Sequence, residues 1–262
     1  MDYSLYQVDA FTDRLFGGNP ACVVPLDQWL DDSILLNIAK ENAVPETAFF
    51  VQENNMIQLR WFTPDLEMDL CGHATLATAH VLKKHLGYSN TLIKFSTMSG
   101  IINVRITKDL YTLDFPSRMP VEELFPENLK KALSQSPIRI LKSRDYVLVY
   151  ENEEIINGIE IDRNYFDKLD LGTGGVIVTA PGDQADFVSR FFTPRATLLE
   201  DPVTGSAHCS LIPYWASELK KEKMTAFQLS KRRGKLICQN LNDRVLISGK
   251  ARTYLKGNFK IK

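Results

Sequence analysis

Two short stretches of this chain carry side chains suited to acid/base chemistry on a small anion. One is "CGHAT", which begins at Cys71 and places a thiol, a glycine and an imidazole together. The other is "EDPVTGSAH", which begins at Glu200 and places two carboxylates, a glycine and a hydroxyl within seven positions. Imidazoles, carboxylates and thiols are groups that proteins use to take up and return protons. The two stretches are therefore the first candidates for a functional site.

Each stretch stands before a segment that is predicted to be helical. Leu76, Ala79 and Leu82 recur at helical spacing after the first stretch, and Gly87 stands where a helix would end. Residues 211–219 carry an apolar face after the second stretch, with Ser206 as the expected N-cap. A proline inside this second segment should bend or weaken the helix.

A helix N-terminus is a favourable place for an anion. Its first backbone N–H groups lack partners within the helix, and the helix dipole adds partial positive charge. Gly72 and Gly205 would let a ligand approach the backbone closely. We therefore expect a carboxylate or phosphate to bind at the backbone N–H groups of Gly72, His73, Gly205 and Ser206.

The two stretches belong to an internal repeat. The segment "RWFTPDLEMDLCGHATLATAHVL" begins at Arg60, and "RFFTPRATLLEDPVTGSAHCSLIPYW" begins at Arg190, about half the chain later. Each copy contains Arg-aromatic-Phe-Thr-Pro, an acidic segment, a glycine step and an apolar helical pattern. If a pseudo-twofold axis relates the two halves, the two helix N-termini are expected to face one cleft between them.

The remaining sequence predicts mainly strands. Short β-branched or aromatic runs are separated by polar turns, and they are "TAFFVQ", "MIQLRWF", "INVRIT", "YTLDF", "DYVLVY", "GVIVTA", "ADFVSRFF" and "RVLISG". Each half then consists of many strands and one principal helix. Such a half is best built as a curled sheet around its helix, which is an α+β arrangement.

Composition excludes several classes of partner. Lys and Arg number 31 against 32 Asp and Glu, so there is no excess charge to favour nucleic acid or anionic lipid. We find no signal sequence and no run near the roughly 20 apolar residues that span a bilayer. The four cysteines are far apart, which predicts reduced thiols and no disulfide framework. We expect a cytoplasmic protein whose partner is a small molecule.

Four motifs in order resemble the phenazine-biosynthesis-like (PhzF-like) isomerase family, which shares the diaminopimelate epimerase-like fold. They are "GGNPACVV", "VPETAFF", the segment from Arg60 and "EDPVTGSAHCSL", and they extend over most of the chain. The resemblance implies two pseudo-symmetric lobes, each a barrel-like sheet around a central helix. We place the lobes at residues 1–118 and 119–262, an arrangement that allows the final strand to pack back on the first lobe.

The resemblance also implies a function. Members move a proton between carbons of a small carboxylate-bearing substrate without a cofactor, usually as homodimers, with the active site between the lobes. Carried over by motif, Glu46 is the catalytic acid/base. The residues implied to bind and orient the substrate are Asn19, Gly72, His73, Asp201, Gly205 and Ser206.

Several residues near Glu46 and the first helix shape this hypothesis. The apolar run after Glu46 should carry its carboxyl toward a core, where it suits acid/base work. Pro45 precedes it, where the family more usually has serine or asparagine, so Glu46 would be presented from a stiff turn. We expect His73 to be neutral, because the helix dipole disfavours an imidazolium at this end. We interpret Glu200 as solvated.

Two alternatives remain open. An epimerase or dehydratase could use Cys71, but the repeat places Thr204 where a second thiol would be needed, and a hydroxyl is a poor substitute for a thiolate. A non-catalytic protein that binds small acids would keep the helix N-termini without needing Glu46. His80, His85 and His208 have no metal-ligand spacing to nearby acids or cysteines, and the sequence predicts no metal site.

Overall fold

The computed structural model describes residues 2–53 and 56–261 and has an α+β architecture. Its strands in chain order are β1 (Asp2–Ala10), β2 (Asn19–Leu26), β3 (Glu46–Glu53), β4 (Met56–Phe62), β5 (Glu67–Met68), β6 (Leu92–Thr97), β7 (Gly100–Thr107), β8 (Leu110–Pro116), β9 (Val121–Glu122), β10 (Arg139–Lys142), β11 (Tyr146–Val149), β12 (Val176–Pro181), β13 (Phe187–Phe192), β14 (Glu200–Asp201), β15 (Lys223–Gln228), β16 (Gly234–Asn240), β17 (Arg244–Gly249) and β18 (Ala251–Lys260). Its helices are α1 (Asp32–Asn42), α2 (Gly72–His85), α3 (Glu127–Ala132), α4 (Glu153–Gly158), α5 (Arg163–Phe166) and α6 (His208–Leu219).

The chain forms two compact units. The first comprises Met1–Asp114 and Ile247–Lys262, and the second comprises Phe115–Leu246. The first segment of this unit therefore ends at Asp114, four residues before the predicted boundary at residue 118. It also includes the C-terminal strand β18, which pairs with β1 in antiparallel register.

The two units have the same strand order. In the first unit β2 and β3 are parallel, β4 runs antiparallel to β3 and β5, and β6 is parallel to β4. In the second unit β11 and β12 are parallel, β13 runs antiparallel to β12 and β14, and β15 is parallel to β13. The parallel pairs β4/β6 and β13/β15 are joined by crossovers that contain α2 and α6 respectively. The predicted repeat is thus a repeat of topology.

The repeated Arg-aromatic-Phe-Thr-Pro segments make the same contacts in each unit. The Arg60 guanidinium donates two hydrogen bonds to Glu67, at 2.7 and 2.6 Å. The Arg190 guanidinium donates two to Glu200, at 2.7 and 3.0 Å. Glu200 was predicted to be solvated, and this was wrong, because a two-pronged ion pair holds it at 20% side-chain exposure.

Helices α2 and α6 are the central helices of their units. Every residue from Gly72 to Leu82 is buried, as is every residue from His208 to Ala216. A helix that is buried on all sides needs sheet or loops on every face, so each unit is a sheet curled around its helix. Pro213 lies within α6, and the helix continues through it to Leu219.

A second, outer layer of helices covers the far face of the sheets. Leu35, Ile38 and Ala39 of α1 pack with Phe49 and Phe62 in a buried cluster of the first unit. In the second unit, α3, α4 and α5 supply buried residues to a comparable cluster. These outer helices were not predicted. Among the described residues, no helix combines the length and the apolar character that crossing a bilayer requires.

Candidate active site

Four side chains of the first unit meet at the N-terminus of α2. Asn19 begins β2, Glu46 begins β3, Cys71 is the N-cap of α2, and His73 is its second residue. The His73 Nε2 atom lies 3.1 Å from Glu46 Oε2. On the other side of the ring, His73 Nδ1 lies 3.1 Å from Asn19 Nδ2 and 3.6 Å from Cys71 Sγ. The imidazole is therefore held between a carboxylate, an amide and a thiol.

The parallel pairing of β2 and β3 positions Glu46. Ala21 and Glu46 are register partners, so the first residues of both strands lie near the same sheet edge. The Asn42 amide at the end of α1 donates a hydrogen bond of 3.1 Å to the Thr47 hydroxyl, which fixes the turn that contains Pro45. Glu46 itself is the first residue of a strand. The turn that contains Pro45 directly precedes it.

Asn19 depends on the tight loop before it. Gly18 has φ +61°, and a Cβ atom there would lie 2.0 Å from the carbonyl oxygen of Ala10. Only glycine can adopt this conformation at this distance from backbone. The close approach brings Asn19, which is completely buried, to the ring of His73.

The charge on His73 differs from the sequence-based prediction. Burial of the ring lowers its pKa, but the Cys71 and Glu46 side chains raise it more, so the pKa of His73 lies well above its usual 6.5. The predicted neutral imidazole was therefore wrong. The helix dipole was considered in that prediction, whereas the contact with Glu46 comes from a strand that is distant along the chain.

Cys71 is held as a neutral thiol. Burial, together with the negative charge of Glu46, raises the pKa of Cys71 to about 11 even though His73 opposes the shift. The thiol is 4% exposed. A thiolate, which is the reactive form, is thus disfavoured at neutral pH.

The second unit places a different set of groups before α6. The Thr204 hydroxyl donates a short hydrogen bond to Asp201 Oδ2. Gly205 and Ser206 follow in a turn, and the half-buried Ser206 accepts a backbone hydrogen bond from Cys209 N at 3.1 Å. Ser206 is not the N-cap that was predicted. The α-helix begins at His208. The turn before it is closed by i→i+3 hydrogen bonds, from His208 N to the carbonyl of Gly205 and from Cys209 N to that of Ser206, which is the 3₁₀ pattern rather than the α pattern.

The strand registers identify equivalent positions in the two units. Trp61 faces Met68 as Phe191 faces Asp201. Counting three residues onward makes Cys71 equivalent to Thr204, as the repeat indicates. The same registers make Asp201 equivalent to Met68 and not to Asp69, so the carboxylate before α6 has no counterpart before α2.

Gln228 is part of this second set and was not predicted. Its amide accepts a 2.8 Å hydrogen bond from Thr204 N and donates to the carbonyl of Asp201 at 2.8 Å and to Thr204 Oγ1 at 3.2 Å. It is completely buried at the end of β15. The available signal was a polar residue at a buried position of an alternating strand, since Met224 and Ala226 share that face.

His208 stabilises the same turn as a neutral ring. Its Nδ1 lies 2.9 Å from the carbonyl oxygen of Thr204, four residues earlier. Burial lowers the pKa of His208 to about 4. The ring therefore donates from Nδ1 and carries no charge near neutral pH.

One group of possible metal ligands occurs in the described residues. Glu46, Cys71 and His73 each offer one ligand atom, and these atoms lie within 4.8 Å of one another. The sequence predicted no metal site, and the spacing argument concerned His80, His85 and His208 rather than His73. The three groups come from a strand, a loop and a helix, so only the fold brings them together.

Comparisons with known proteins agree with this architecture. The family described as Phenazine biosynthesis-like protein matches residues 8–257. A protein of Pseudomonas aeruginosa that is described as an uncharacterized isomerase is 46% identical, and the match covers all of both chains. A crystal structure of a phenazine biosynthesis protein of the PhzF family from Enterococcus faecalis is 43% identical, with a TM-score of 0.94 and full coverage of both chains.

A more distant likeness concerns the fold alone. The crystal structure of a hydroxyproline epimerase from Agrobacterium vitis is 9% identical and has a TM-score of 0.63. The match covers 98% of this chain and 92% of that one. The epimerase-like topology is therefore shared well beyond recognisable sequence similarity.

Proposed function

The chain belongs to the phenazine biosynthesis-like protein family, and we propose that it is a cofactor-independent isomerase that moves a proton between carbons of a small carboxylate-bearing substrate. Glu46 is the acid/base in this proposal. The observation that supports it best is the pair of Glu46 and His73, whose buried atoms lie 3.1 Å apart at the N-terminus of α2.

The chemistry needs one base and no external reactant. The Glu46 carboxylate takes a proton from one carbon, so a C–H bond breaks, an O–H bond forms and the electron pair shifts into the substrate. The same carboxyl then returns the proton to another carbon. Electrons and protons balance without an oxidant or a metal. A side chain that is only 12% exposed slows the exchange of this proton with bulk water between the two transfers without preventing it.

His73 and the start of α2 would stabilise the substrate anion. The first turn of α2, "GHAT", contains no acidic residue, so the positive end of the helix dipole is not neutralised within the turn. A protonated His73 adds a full charge at the same place. We propose that Asn19, Gly72 and His73 bind the substrate, and that the Asn19 amide turns its oxygen toward Nδ1–H of the protonated ring and so fixes the ring.

Asp201, Gly205 and Ser206 are proposed as substrate-binding groups of the second unit. Asp201 is bound by Thr204 and, through its carbonyl, by Gln228, so its carboxylate has a fixed position. Gly205 and Ser206 form the turn before α6. The carboxylate suits a polar or cationic substituent rather than a second substrate carboxylate.

The alternatives receive less support. A thiol mechanism at Cys71 would need a thiolate, and burial with a neighbouring carboxylate disfavours it. Thr204, which is equivalent to Cys71 in the second unit, donates its hydroxyl hydrogen bond to Asp201. A protein that only bound small acids would gain nothing from a carboxylate beside the anion-binding end of α2, since Glu46 repels such a ligand.

A solvent-exchange screen tests the proposal. The chain is incubated in D₂O with small cyclic and amino carboxylic acids, and proton NMR follows each carbon-bound proton. We expect deuterium to enter the substrate at the carbons between which the proton moves, and only when the chain is present. Exchange that persists in Glu46→Gln would contradict the role of this residue. The homodimer and the cytoplasmic location stay predictions, and light scattering of the purified chain tests the first.

A further inference from the structure

The group formed by Glu46, Cys71 and His73 contains one member that the proposed proton transfer does not use. Glu46 carries the proton and His73 attracts the substrate anion, but the Cys71 thiol has no step. Its sulfur nevertheless lies 3.6 Å from His73 Nδ1, and Cys71 and His73 are both buried. The arrangement therefore has a property beyond acid/base chemistry.

We propose that Glu46, Cys71 and His73 bind a soft divalent cation, best matched by Zn²⁺, which thereby blocks the acid/base. Thiolate sulfur, imidazole nitrogen and carboxylate oxygen are the three ligand types that Zn²⁺ takes in proteins. Magnesium and calcium prefer all-oxygen ligands and do not fit a thiol and an imidazole. Among the described residues, no other group of three such side chains comes together.

The separations suit a tetrahedral ion. Zinc–sulfur bonds of about 2.3 Å and zinc–nitrogen bonds of about 2.0 Å place ligand atoms roughly 3.5 Å apart at tetrahedral angles. The 3.1 Å contact joins Glu46 to His73 Nε2 and the 3.6 Å contact joins Cys71 to His73 Nδ1, and an ion binds only one of these nitrogens. A set with one atom from each residue lies within 4.8 Å. Closure onto an ion brings these atoms from at most 4.8 Å to roughly 3.5 Å apart.

Charge balance favours the same ion. A Cys71 thiolate and a Glu46 carboxylate carry two negative charges, and a neutral His73 carries none. A divalent cation then makes the buried site neutral overall, which limits the cost of burying its charges. The bound metal displaces two protons, one from the thiol and one from the imidazolium, so groups that are protonated in the free protein still become ligands.

The surroundings fit a bound ion in two further respects. Three protein ligands leave a fourth position for water, as in zinc sites that are open to solvent. The Asn19 amide lies 3.1 Å from His73 Nδ1. With its oxygen facing that nitrogen, the amide accepts a hydrogen bond from Nδ1–H and orients the ring when Nε2 binds the metal. Glu46, with 12% of its side chain exposed, supplies the route by which the ion enters.

The inhibitory consequence rests on the proposed function, whereas the binding site does not. An ion on Glu46 removes the free carboxylate, so proton transfer stops until a chelator withdraws the metal. Binding is measured without substrate. A failure of the site and a failure of the isomerase proposal are therefore distinguishable.

Titration of the metal-free chain with Co²⁺ and Zn²⁺ tests the site. Cobalt is a spectroscopic probe that takes the zinc geometry and shows a thiolate-to-metal charge-transfer band only when sulfur is bound. We expect one equivalent of Co²⁺ to produce this band and one equivalent of Zn²⁺ to abolish it. A competing chromophoric chelator gives the affinity.

Variants separate this site from adventitious binding. Cys71→Ala should lose the charge-transfer band and weaken Zn²⁺ binding by more than the roughly 10–100-fold that loss of an orienting partner costs. Glu46→Gln should keep the band and bind more weakly. Cys22→Ala, which removes another buried thiol of the same unit, should change neither. A band that survives Cys71→Ala, or an absence of stoichiometric binding by a folded wild-type chain, would overturn the proposal.

Discussion

The Nε2 atom of His73 lies 3.1 Å from Oε2 of Glu46, and neither atom has a hydrogen-bond partner of good geometry among the described residues. The two groups are thus held together by charge rather than by a directed bond. A substrate carboxylate can take over the imidazolium without breaking an optimised contact. This relationship leads to the first prediction.

Glu46→Gln should lower the pKa of His73. The Glu46 charge is one of the causes that raise this pKa, so its removal leaves burial, which lowers it, less opposed. Proton NMR titration of the four histidines, assigned by single substitutions, measures the change. In the wild type, His73 should stay protonated above pH 6.5, and its stabilising contribution should be lost as pH rises through its raised pKa. An unchanged His73 titration in Glu46→Gln would contradict the ion pair.

Acid should destabilise the fold partly through His208. Its pKa is lowered to about 4, so the unfolded chain binds this proton first as pH falls from 6.5. The stabilising contribution is full above pH 6.5 and is lost toward pH 4, and it amounts to about 3 kcal/mol. Urea unfolding at pH 7 and pH 4.5 should show a smaller acid loss in His208→Asn, which keeps a donor near Thr204 O. Parallel losses in both proteins would exclude this role.

Gly18→Ala should destabilise the first unit more than Gly87→Ala. Both glycines have positive φ, so either alanine costs about 1–2 kcal/mol in backbone strain. At Gly18 the new Cβ also lies 2.0 Å from Ala10 O, whereas nothing lies within 4 Å at Gly87. The loop must then shift and carry Asn19 away from His73. Thermal unfolding compares the two variants, and equal losses would show that the close contact is not limiting.

Arg190→Lys should lower the free energy of unfolding by about 2 kcal/mol. The guanidinium, 14% exposed, makes two hydrogen bonds to Glu200 and donates to the carbonyls of Ile156 and Ile159 at 3.1 and 2.9 Å. A lysine cannot make this set. Arg195→Lys is the matched control, because its ion pair with Asp170 is exposed and contributes at most about 1 kcal/mol. A similar loss in both variants would remove the special role of Arg190.

Local patterns predicted the strands and the central helices well. The run "MIQLRWF" is strand β4, and the apolar spacing after Cys71 is helix α2. The internal repeat predicted that the two units share a topology, because two copies of the same motif adopt the same arrangement of strands and helix. Helix α1 was not predicted, although Leu35, Ile38 and Ala39 give it an amphipathic pattern. Its 11 residues give fewer repeats of the helical pattern than the motifs give for α2, so the sequence indicated this helix less strongly.

The candidate site was less accessible to prediction. Motifs placed Glu46 and His73 in one hypothesis, but their contact depends on the register of β2 with β3 and on how α2 enters the sheet. The charge of His73 was mispredicted for that reason. Gln228 was missed because its partners, Asp201 and Thr204, belong to a turn that lies far away in sequence.

The central claim is that Glu46 carries the proton, and its most direct test is deuterium incorporation by three proteins with one substrate. The wild-type chain and Cys71→Ala should both turn over the substrate and introduce solvent deuterium. Glu46→Gln should lose roughly 10²–10⁴-fold or more in turnover, because one residue makes both transfers, while a thermal shift shows that it still binds the ligand. Full turnover in Glu46→Gln together with an inactive, folded Cys71→Ala would contradict the account and assign the chemistry to the thiol.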